Sequence, residues 1–261
     1  MKHVALVTCS NFPALSPSDE RLVEPLKKEK ILTHAVAWDK KGVDWSLFDA
    51  IALRACWNYP TKYSQFMDWL TNLEHIRANV WNPINIMRWN IQKTYLFDLE
   101  KRGVSIIPTV VVNKQSKPSL HNEASDVIIK PVIGNMSQGI YRSPKNIERL
   151  LKTGDYLVQP FMPEVTNEGE YRFIFIGGEL THTILKTQKA ASLVKPAPAL
   201  THQAADVLHT VETNLLYARV DGINRNGIFI LMELELIEPI LFFDMNQKAA
   251  AIFARALKNV V

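Results

Sequence analysis

Three glutamates, Glu233, Glu235 and Glu238, interrupt an apolar stretch in the last part of the chain, FILMELELIEPILFF at residues 229–243. Side chains of a strand alternate between its two faces. On that pattern Glu233 and Glu235 share one face at the end of a strand, and the even-numbered residues 228–236 form an apolar face. Ionised carboxylates are rarely buried unless they are paired or bind a metal. The spacing therefore predicts two carboxylates directed at a hard cation such as Mg²⁺.

The preceding stretch, LLYARVDGINRNGIF, predicts a strand over residues 215–223 and a turn at NRNG, so that the two strands form a hairpin. If odd-numbered residues pair with odd-numbered ones, Arg219 and Asp221 join the two glutamates in one polar cluster. A slip of one residue would send Asp221 to the opposite face. The alternative is a charged, solvated sheet face. Glu238 has the other parity, and it either orients a neighbour or marks the end of the strand before Pro239.

Several basic residues stand where they could neutralise phosphate. Lys130 ends the apolar strand DVIIKP, beside the loop VIGNMSQG at residues 132–139, whose backbone N–H groups suit phosphate oxygens. Lys93 lies at the start of a predicted helix, and Arg172 and Lys186 lie on successive predicted strands. Taken singly, each of these basic residues is more simply interpreted as a solvent-exposed surface charge. Basic groups of this kind, combined with acids that hold Mg²⁺, predict a nucleoside triphosphate site.

The elements that position these residues fall into three units. Strands alternate with helices over residues 1–84, which predicts an open α/β sheet. Residues 85–158 begin with a helix around 90–102 and continue with strands at ASDVIIKP and DYLVQPFMP around the helix KNIERLLKTG. Residues 159–261 hold further strands and a closing helix at QKAAAIFARALKNV, and residues 187–203 stay without an assignment.

The composition excludes several classes of function. The chain has 261 residues, 47% of them hydrophobic, and its net charge of +4 is scattered, which gives no support for a nucleic-acid partner. No apolar run approaches the ~18 residues of a membrane span. Cys9 and Cys56 have neither metal-ligand spacing nor a disulfide framework, so we expect a reducing cytoplasm.

The order of these motifs resembles the ATP-grasp ligases, such as glutathione synthetase. The residues that carry the resemblance are NIQK, VIIKP, YLVQPFMP, GEYRFIFIGGEL, YARVD and MELELIEP. With LRACWNY and WNP, the chain is most similar to small ligases of the D-cycloserine-forming type. The resemblance implies an α/β (α+β) ATP-grasp fold with an N-terminal open α/β pre-ATP-grasp domain at 1–84. It also implies a central lid subdomain at 85–158 and a C-terminal antiparallel-sheet subdomain at 159–261.

The resemblance also implies which residues bind ATP. Lys93 and Lys130 would contact the phosphates, and Glu170 would bind the ribose hydroxyls. The connector QPFM would contact adenine through its backbone, with the Gln159 carbonyl accepting from the amino group and the Phe161 N–H donating to the ring.

For the reacting groups, the resemblance implies that Asp221, Glu233 and Glu235 hold Mg²⁺. The transferred phosphoryl group and the acyl phosphate would be stabilised by three basic residues, namely Arg172, Lys186 and Arg219.

Substrate binding is expected at LRACWNY, after a strand of the first unit. Arg54 would clamp a substrate carboxylate with both arms of its guanidinium, near Trp57 and Tyr59. The alternative is a surface arginine over packed aromatic residues.

The expected function is an ATP-dependent carboxylate–amine ligase that forms an acyl phosphate on a small amino-acid-like or peptide substrate. ATP and Mg²⁺ would lie between the central and C-terminal units. The partners would be small molecules, not nucleic acid or membrane, and a homo-oligomer is left open. The segment TQKAASLVKPAPAL departs from relatives, which carry an acid, an aromatic residue and an arginine there. The alternative is therefore a catalytically impaired nucleotide-binding protein that acts as a sensor or partner.

Overall fold

The computed structural model describes residues 1–113, 115, 126–143 and 147–261. Three sheets make up the framework, which confirms the mixed α/β class. None of the helices in these ranges is long and apolar enough to cross a membrane.

The N-terminal sheet is wholly parallel, with the order β2-β1-β3-β4. Its strand β1 is buried along Val4–Val7, because helices cover both faces of the sheet. Strands buried on both faces have continuous apolar sequences, as β1 does. The elements are β1 (Lys2–Thr8), α1 (Val23–Lys28), β2 (Ile31–Ala37), β3 (Ala50–Leu53), α2 (Tyr63–His75) and β4 (Val80–Trp81). Short 3₁₀ turns precede α1, β3 and α2.

The helix predicted around residues 90–102 is present but begins later, at Tyr95, and a further short helix that was not predicted precedes it. They are α3 (Ile84–Asn90) and α4 (Tyr95–Lys101). Between them the chain turns so that the Lys93 N–H donates to the Val132 carbonyl at 2.9 Å. This turn, at the motif NIQK, aims the Lys93 side chain at the loop that follows Lys130, and a continuous helix would not do so.

The central sheet is antiparallel, with the order β5-β8-β6-β7. Its elements are β5 (Val110–Val112), β6 (Val127–Pro131), β7 (Tyr141–Arg142), α5 (Ile147–Leu151) and β8 (Tyr156–Pro160). The strand β8 spans the boundary predicted between residues 158 and 159. The predicted helix KNIERLLKTG lies partly outside the described residues, and α5 is its described part.

The C-terminal sheet is also antiparallel, with the order β11-β10-β9-β12-β13. Helix α7 packs on one face with α4, and helix α8 packs on the other face against the N-terminal sheet. The elements are α6 (Glu164–Asn167), β9 (Glu170–Ile176), β10 (Glu179–Lys186), β11 (Ala191–Val194), α7 (Pro198–His209), β12 (Tyr217–Arg225), β13 (Ile228–Glu235) and α8 (Gln247–Lys258). The segment 187–203, which had no assignment, thus contains β11 and the start of α7.

The predicted hairpin is β12–β13, and its odd-numbered residues pair as expected: Arg219 lies opposite Glu235, and Asp221 opposite Glu233. The prediction of one apolar even-numbered face is wrong. The next pair is Gly222 with Leu231, so Met232 is an extra residue, a β-bulge.

The bulge exchanges the faces of β13. Before it, Phe229 and Leu231 enter the core, and after it Leu234 and Leu236 do so. Met232 therefore does not face that core, contrary to expectation, and lines the same cavity as Glu233. Because the bulge makes two consecutive side chains face one way, an apolar residue and a carboxylate stand side by side there.

Candidate active site

A cavity of about 450 Å³ lies between the central and C-terminal sheets. Trp57 of the N-terminal unit also reaches it, so all three units contribute to its lining. Nearly all the residues predicted from the sequence to carry chemistry line it: Lys93, Lys130, Gln159, Phe161, Glu170, Arg172, Lys186, Arg219, Asp221, Glu233 and Glu235.

Two lysines enter the cavity from elements that are far apart in sequence. Lys93 Nζ donates to the Gly134 carbonyl at 2.6 Å and pairs with Glu233 Oε1 at 2.7 Å. Burial would lower the pKa of Lys93, but the Glu233 carboxylate outweighs burial and raises it. Lys130 Nζ donates to the Met232 carbonyl at 3.3 Å, and burial lowers its pKa to about 8. Lys130 therefore stands in an environment where an added anion would be favoured.

The glutamates of β13 have opposite electrostatic surroundings. Burial raises the pKa of each carboxyl, but beside Glu233 the lysines Lys93 and Lys130 outweigh burial and lower its pKa to about 2. The pKa of Glu235 is raised to about 8 by burial, and Asp221 and Glu233 add to the rise. Adjacent carboxylates that repel one another favour a bound cation.

Arg219 organises the acidic cluster. Its Nε donates to Asp221 Oδ1 at 2.8 Å, its Nη2 donates to Asp221 Oδ2 at 2.7 Å, and Nη2 also bonds Glu235 Oε1. On the neighbouring strand β9, Arg172 Nε donates to Glu170 Oε1 at 2.8 Å. Because each arginine is held by a carboxylate, both guanidinium groups are fixed at the cavity wall.

The carboxylates do not form a closed metal cage by themselves. Within the described ranges, no group of three or more His, Cys, Asp or Glu side chains is arranged to hold a metal ion. Asp221 is also only 2% exposed and is held at both oxygens by Arg219. Glu233 and Glu235 nevertheless fit Mg²⁺, because this ion takes one or two protein carboxylates and completes its shell with water and phosphate oxygens.

The adenine contacts expected of the connector need a shift of one residue. The Phe161 N–H donates to the Asp126 carbonyl at 2.9 Å, so it is not available for a ring nitrogen. Antiparallel ladders alternate bonded and non-bonded pairs. Gln159, opposite Ile128, is therefore a bonded position with its carbonyl in the ladder, whereas Pro160, opposite Val127, is not.

The shift leaves two backbone groups for a ligand. They are the Pro160 carbonyl, which the ladder alternation turns away from β6, and the Met162 N–H, which bonds no residue that the structure describes. Pro160 and Met162 both line the cavity. The Gln159 side chain is also engaged, because its Nε2 donates to Thr109 Oγ1 at 2.8 Å.

Among the residues expected to bind substrate, only Trp57 lines the main cavity. Tyr59 is 4% exposed, packs on Phe66 at 5.0 Å between ring centroids, and reaches a small adjoining crevice. The position of Arg54 does not fit a carboxylate clamp, because its side chain is 0% exposed. It pairs with Asp19 at 2.9 Å. Arg54 can be buried because the carboxylate of Asp19, which is far away in sequence, neutralises its charge inside the protein.

Asn135 also belongs here, and so does Glu238, for which the sequence left open whether it orients a neighbour or marks the end of the strand. Glu238 lines both the cavity and the crevice, and Asn135 in the loop 132–139 donates to it. The pattern ELIEP shows that Glu238 follows Glu233 and Glu235, but only the fold shows that the chain bends there and returns Glu238 to the cavity.

Comparison with known proteins shows which proteins this chain resembles in sequence. Residues 4–82 match the family model described as the N-terminal domain of the D-cycloserine synthetase DcsG. The cycloserine biosynthesis protein DcsG of Streptomyces lavendulae is 27% identical, over 97% of each chain. A glutathione synthetase of Neisseria meningitidis is also 27% identical, over 85% of this chain and 76% of its own length.

Solved structures show the same fold. The crystal structure of D-cycloserine synthetase DcsG superposes with a TM-score of 0.88 at 26% identity, covering 98% of this chain and 99% of the other. The ATP-grasp ligase PsnB, complexed with a precursor peptide and AMPPNP, superposes with a TM-score of 0.68 at 14% identity, covering 99% and 97%. The expected resemblance and fold are thereby confirmed.

Proposed function

We propose that this chain, an ATP-grasp protein by fold and by its full-length similarity to DcsG, is an ATP-dependent carboxylate–amine ligase. The observation that supports the proposal is that Lys93 and Lys130 line the same cavity as Glu233 and Glu235, with Lys93 paired to Glu233. Cations that neutralise phosphate and carboxylates that suit Mg²⁺ are the parts that phosphoryl transfer requires.

ATP would enter with its base against the connector. The Pro160 carbonyl would accept from the adenine amino group, and the Met162 N–H would donate to the neighbouring ring nitrogen. Ile128 and Met162 supply apolar surface to the base, and Glu170 stands on the adjacent strand for the ribose hydroxyls. Guanine presents a carbonyl and an N–H at these positions, so the same backbone pair discriminates against GTP.

The phosphates would meet Lys93 and Lys130, which approach the cavity from different elements, the turn before α4 and the strand β6. Glu233 and Glu235 would hold Mg²⁺, which supplies charge neutralisation at the phosphate oxygens. Lys93 is then released from part of its pairing with Glu233 and turns its charge to the nucleotide. This exchange of partners leaves no buried charge unpaired.

The carboxylate substrate would approach Arg219 and Arg172. A carboxylate is ionised at neutral pH and needs no base before it attacks the γ-phosphate. Its attack gives an acyl phosphate and ADP, and an amine then displaces phosphate to form the C–N bond. The two guanidinium groups stabilise the negative charge that develops in both steps, with Lys186 at the exposed mouth of the cavity.

Phosphate release from ATP tests the proposal directly. The purified protein is incubated with ATP, Mg²⁺ and a panel of amino acids, and phosphate and coupled product are measured. We expect release that depends on an amino acid, and its loss in Lys130→Ala but not in the control Lys152→Ala, because Lys152 is exposed and outside the cavity. Tight ATP binding without turnover would contradict the ligase and select the nucleotide-binding sensor instead.

A further inference from the structure

Strand β13 is the outermost strand of the C-terminal sheet within the described ranges, so its outer edge has no neighbouring strand of that sheet. Such an edge normally leaves backbone N–H and carbonyl groups unpaired. Before the bulge, the Phe229 N–H donates to Gln203 Oε1 at 2.9 Å, and the Leu231 N–H donates to the Ser105 carbonyl at 2.8 Å. The first half of the edge is therefore paired with a side chain and a loop.

After the bulge, side chains take the place of a neighbouring strand. The Leu234 N–H donates to the Tyr95 hydroxyl at 2.8 Å, and the Leu234 carbonyl accepts from Asn90 Nδ2 at 2.8 Å. The Leu236 N–H donates to Asn90 Oδ1 at 3.0 Å, and the Leu236 carbonyl accepts from Asn82 Nδ2 at 2.7 Å. These backbone groups thus find their partners on α3, on the start of α4 and just before α3.

Asn90 occupies the centre of this row of hydrogen bonds. Its amide group spans the Leu234 carbonyl and the Leu236 N–H, which are the backbone groups on either side of Glu235. On the inner side of the strand, Glu235 lies opposite Arg219 in the pairing with β12. The backbone of Glu235 is therefore held from both sides. Asn90 is 7% exposed, so its hydrogen bonds are shielded from competing water.

The same short segment restrains Glu233. Lys93, three residues after Asn90, pairs with Glu233 Oε1 at 2.7 Å. Tyr95 holds the N–H of Leu234, which directly follows Glu233. Asn90 itself is not available as a metal ligand, because both polar atoms of its amide are engaged with the backbone. Its effect on a bound ion would therefore act through the two glutamates.

Restraint of this kind distinguishes between divalent ions. Mg²⁺ requires nearly octahedral ligands at about 2.0–2.1 Å, whereas Ca²⁺ accepts variable geometries at about 2.3–2.6 Å. A pair of carboxylates on a fixed backbone suits the ion with the stricter geometry, because the ligands need no rearrangement when it binds. A looser pair should weaken the binding of Mg²⁺ more than that of Ca²⁺, since Ca²⁺ accommodates displaced ligands.

We propose that Asn90, assisted by the Tyr95 hydroxyl, is a positioning residue that holds Glu233 and Glu235 at the spacing Mg²⁺ requires, so that the site prefers Mg²⁺ to Ca²⁺. The inference rests on the proposed function for the site that binds Mg²⁺ with a nucleotide. The pairing of the strand edge is measured separately, in the protein without ligands.

The variant Asn90→Ala removes both hydrogen bonds and adds no charge. The matched control is Gln203→Ala, because the Gln203 amide makes the same two kinds of bond at the other end of the same edge. It accepts from the Phe229 N–H and donates to the Gly227 carbonyl at 3.0 Å, and Gln203 lies outside the cavity. Tyr95→Phe is a milder second variant, since it deletes only the hydroxyl and keeps the buried ring.

Amide hydrogen exchange, resolved at single residues in the protein without ligands, reports the pairing of the edge. We expect Asn90→Ala to speed exchange at Leu236 at least tenfold, because that N–H loses its acceptor. In Gln203→Ala, the faster exchange should appear at Phe229 instead.

Calorimetry with a non-hydrolysable ATP analogue reports the metal site. The analogue is titrated with Mg²⁺, with Ca²⁺ and without a divalent ion. We expect the wild type to bind it more tightly with Mg²⁺ than with Ca²⁺. Asn90→Ala should reduce this ratio of affinities at least fivefold and Tyr95→Phe at least threefold, while the affinity without a divalent ion stays within twofold. Gln203→Ala should keep all three affinities within twofold.

The outcomes separate positioning from a general loss of structure, which lowers the affinity with both ions alike. A ratio in Asn90→Ala within twofold of the wild type overturns the positioning role. If that variant does not fold, the ratio in Tyr95→Phe decides in its place. Unchanged exchange at Leu236 overturns the pairing, and an equal fall of the ratio in Gln203→Ala overturns the assignment to Asn90.

The failure of the proposed function gives a different result. A wild type that does not prefer Mg²⁺ to Ca²⁺, or that does not bind the analogue, overturns the role of Asn90 in metal selection. A wild type that prefers Mg²⁺ but forms no product with any amino acid overturns the ligase alone, and the ratio in Asn90→Ala still decides the role of Asn90.

Discussion

Gly222 is the residue on which the β-bulge of the C-terminal hairpin depends, and Gly222→Ala tests that dependence. A Cβ at this position would lie 2.4 Å from Phe229 Cζ and 2.5 Å from the Ile230 carbonyl oxygen. Favourable contacts between heavy atoms are about 3.5–4.0 Å long, so both distances are severe overlaps. The Phe229 ring is packed edge-on against Phe173, and the carbonyl belongs to the backbone. Neither neighbour can move away without disturbing the hairpin.

The size of the effect follows from two opposed contributions. Overpacking in a well-packed region costs about 1–3 kcal/mol, and a disturbed ladder hydrogen bond adds about 1 kcal/mol. Replacing glycine by alanine also restricts the unfolded chain, which stabilises by about 0.4–1 kcal/mol. The overlaps dominate, so we expect Gly222→Ala to lower the free energy of unfolding by about 2 kcal/mol. For a chain of this length the midpoint should fall by roughly 4–8 °C.

The assay is thermal and urea unfolding of the variant beside the wild type, with Gly154→Ala as the matched control. Gly154 has nothing within 4 Å of the added Cβ. It should therefore change stability by less than about 0.5 kcal/mol. The same overlap should displace Met232 and Glu233, so Gly222→Ala should also weaken the binding of ATP with Mg²⁺. A variant as stable as the control, with unchanged ATP affinity, would refute the account of the bulge.

Three further predictions concern single side chains. Glu233→Gln should keep the fold but remove most of the extra thermal stabilisation that Mg²⁺ adds to ATP; an unchanged Mg²⁺-dependent shift would contradict its role as a metal ligand. Arg54→Ala should lower the free energy of unfolding by about 3–5 kcal/mol, because Asp19 is left buried and unpaired, whereas exposed Arg149→Ala should be neutral in the same urea melts. Burial lowers the pKa of His182 from 6.5 to about 4, so the unfolded chain takes up the proton first as pH falls. The stability present above pH ~6.5 should therefore decrease by about 2 kcal/mol towards pH ~4, after allowance for solvent screening, and His182→Asn should lose this dependence in melts across that range.

The sequence predicted the hairpin register because two local signals agree. The turn at NRNG sets where β12 ends, and the acidic and apolar parities then allow only one sensible pairing. The bulge was not predicted, because the extra residue Met232 is apolar like its neighbours and leaves no visible break in the sequence of the strand. Gly222 carried the only local signal, and its meaning depends on Phe229 and Ile230 being across the ladder.

Long-range partners explain the other differences. The Phe161 N–H is occupied because Asp126 lies opposite it, and nothing in the letters QPFM shows that register. Likewise, the helix predicted around residues 90–102 begins only at Tyr95, because the preceding NIQK forms a turn whose Lys93 N–H donates to the Val132 carbonyl. Patterns within one element predict which side chains share a face. They do not show which backbone groups a distant strand has already engaged.

Arg54 connects these observations to the cavity. Its Nε pairs with Asp19, and its Nη2 donates to the Pro239 carbonyl at 2.7 Å, immediately after Glu238. Its guanidinium also lies 4.9 Å from the ring centroid of Tyr217. The motif LRACWNY thus contributes to the cavity in two ways, because Trp57 lines it and Arg54 fixes the backbone beside Glu238. Arg54 was expected to bind a substrate carboxylate, but its side chain is buried and instead bonds the backbone next to Glu238. Since a buried ion pair resists displacement, the N-terminal unit holds the backbone beside Glu238 in place.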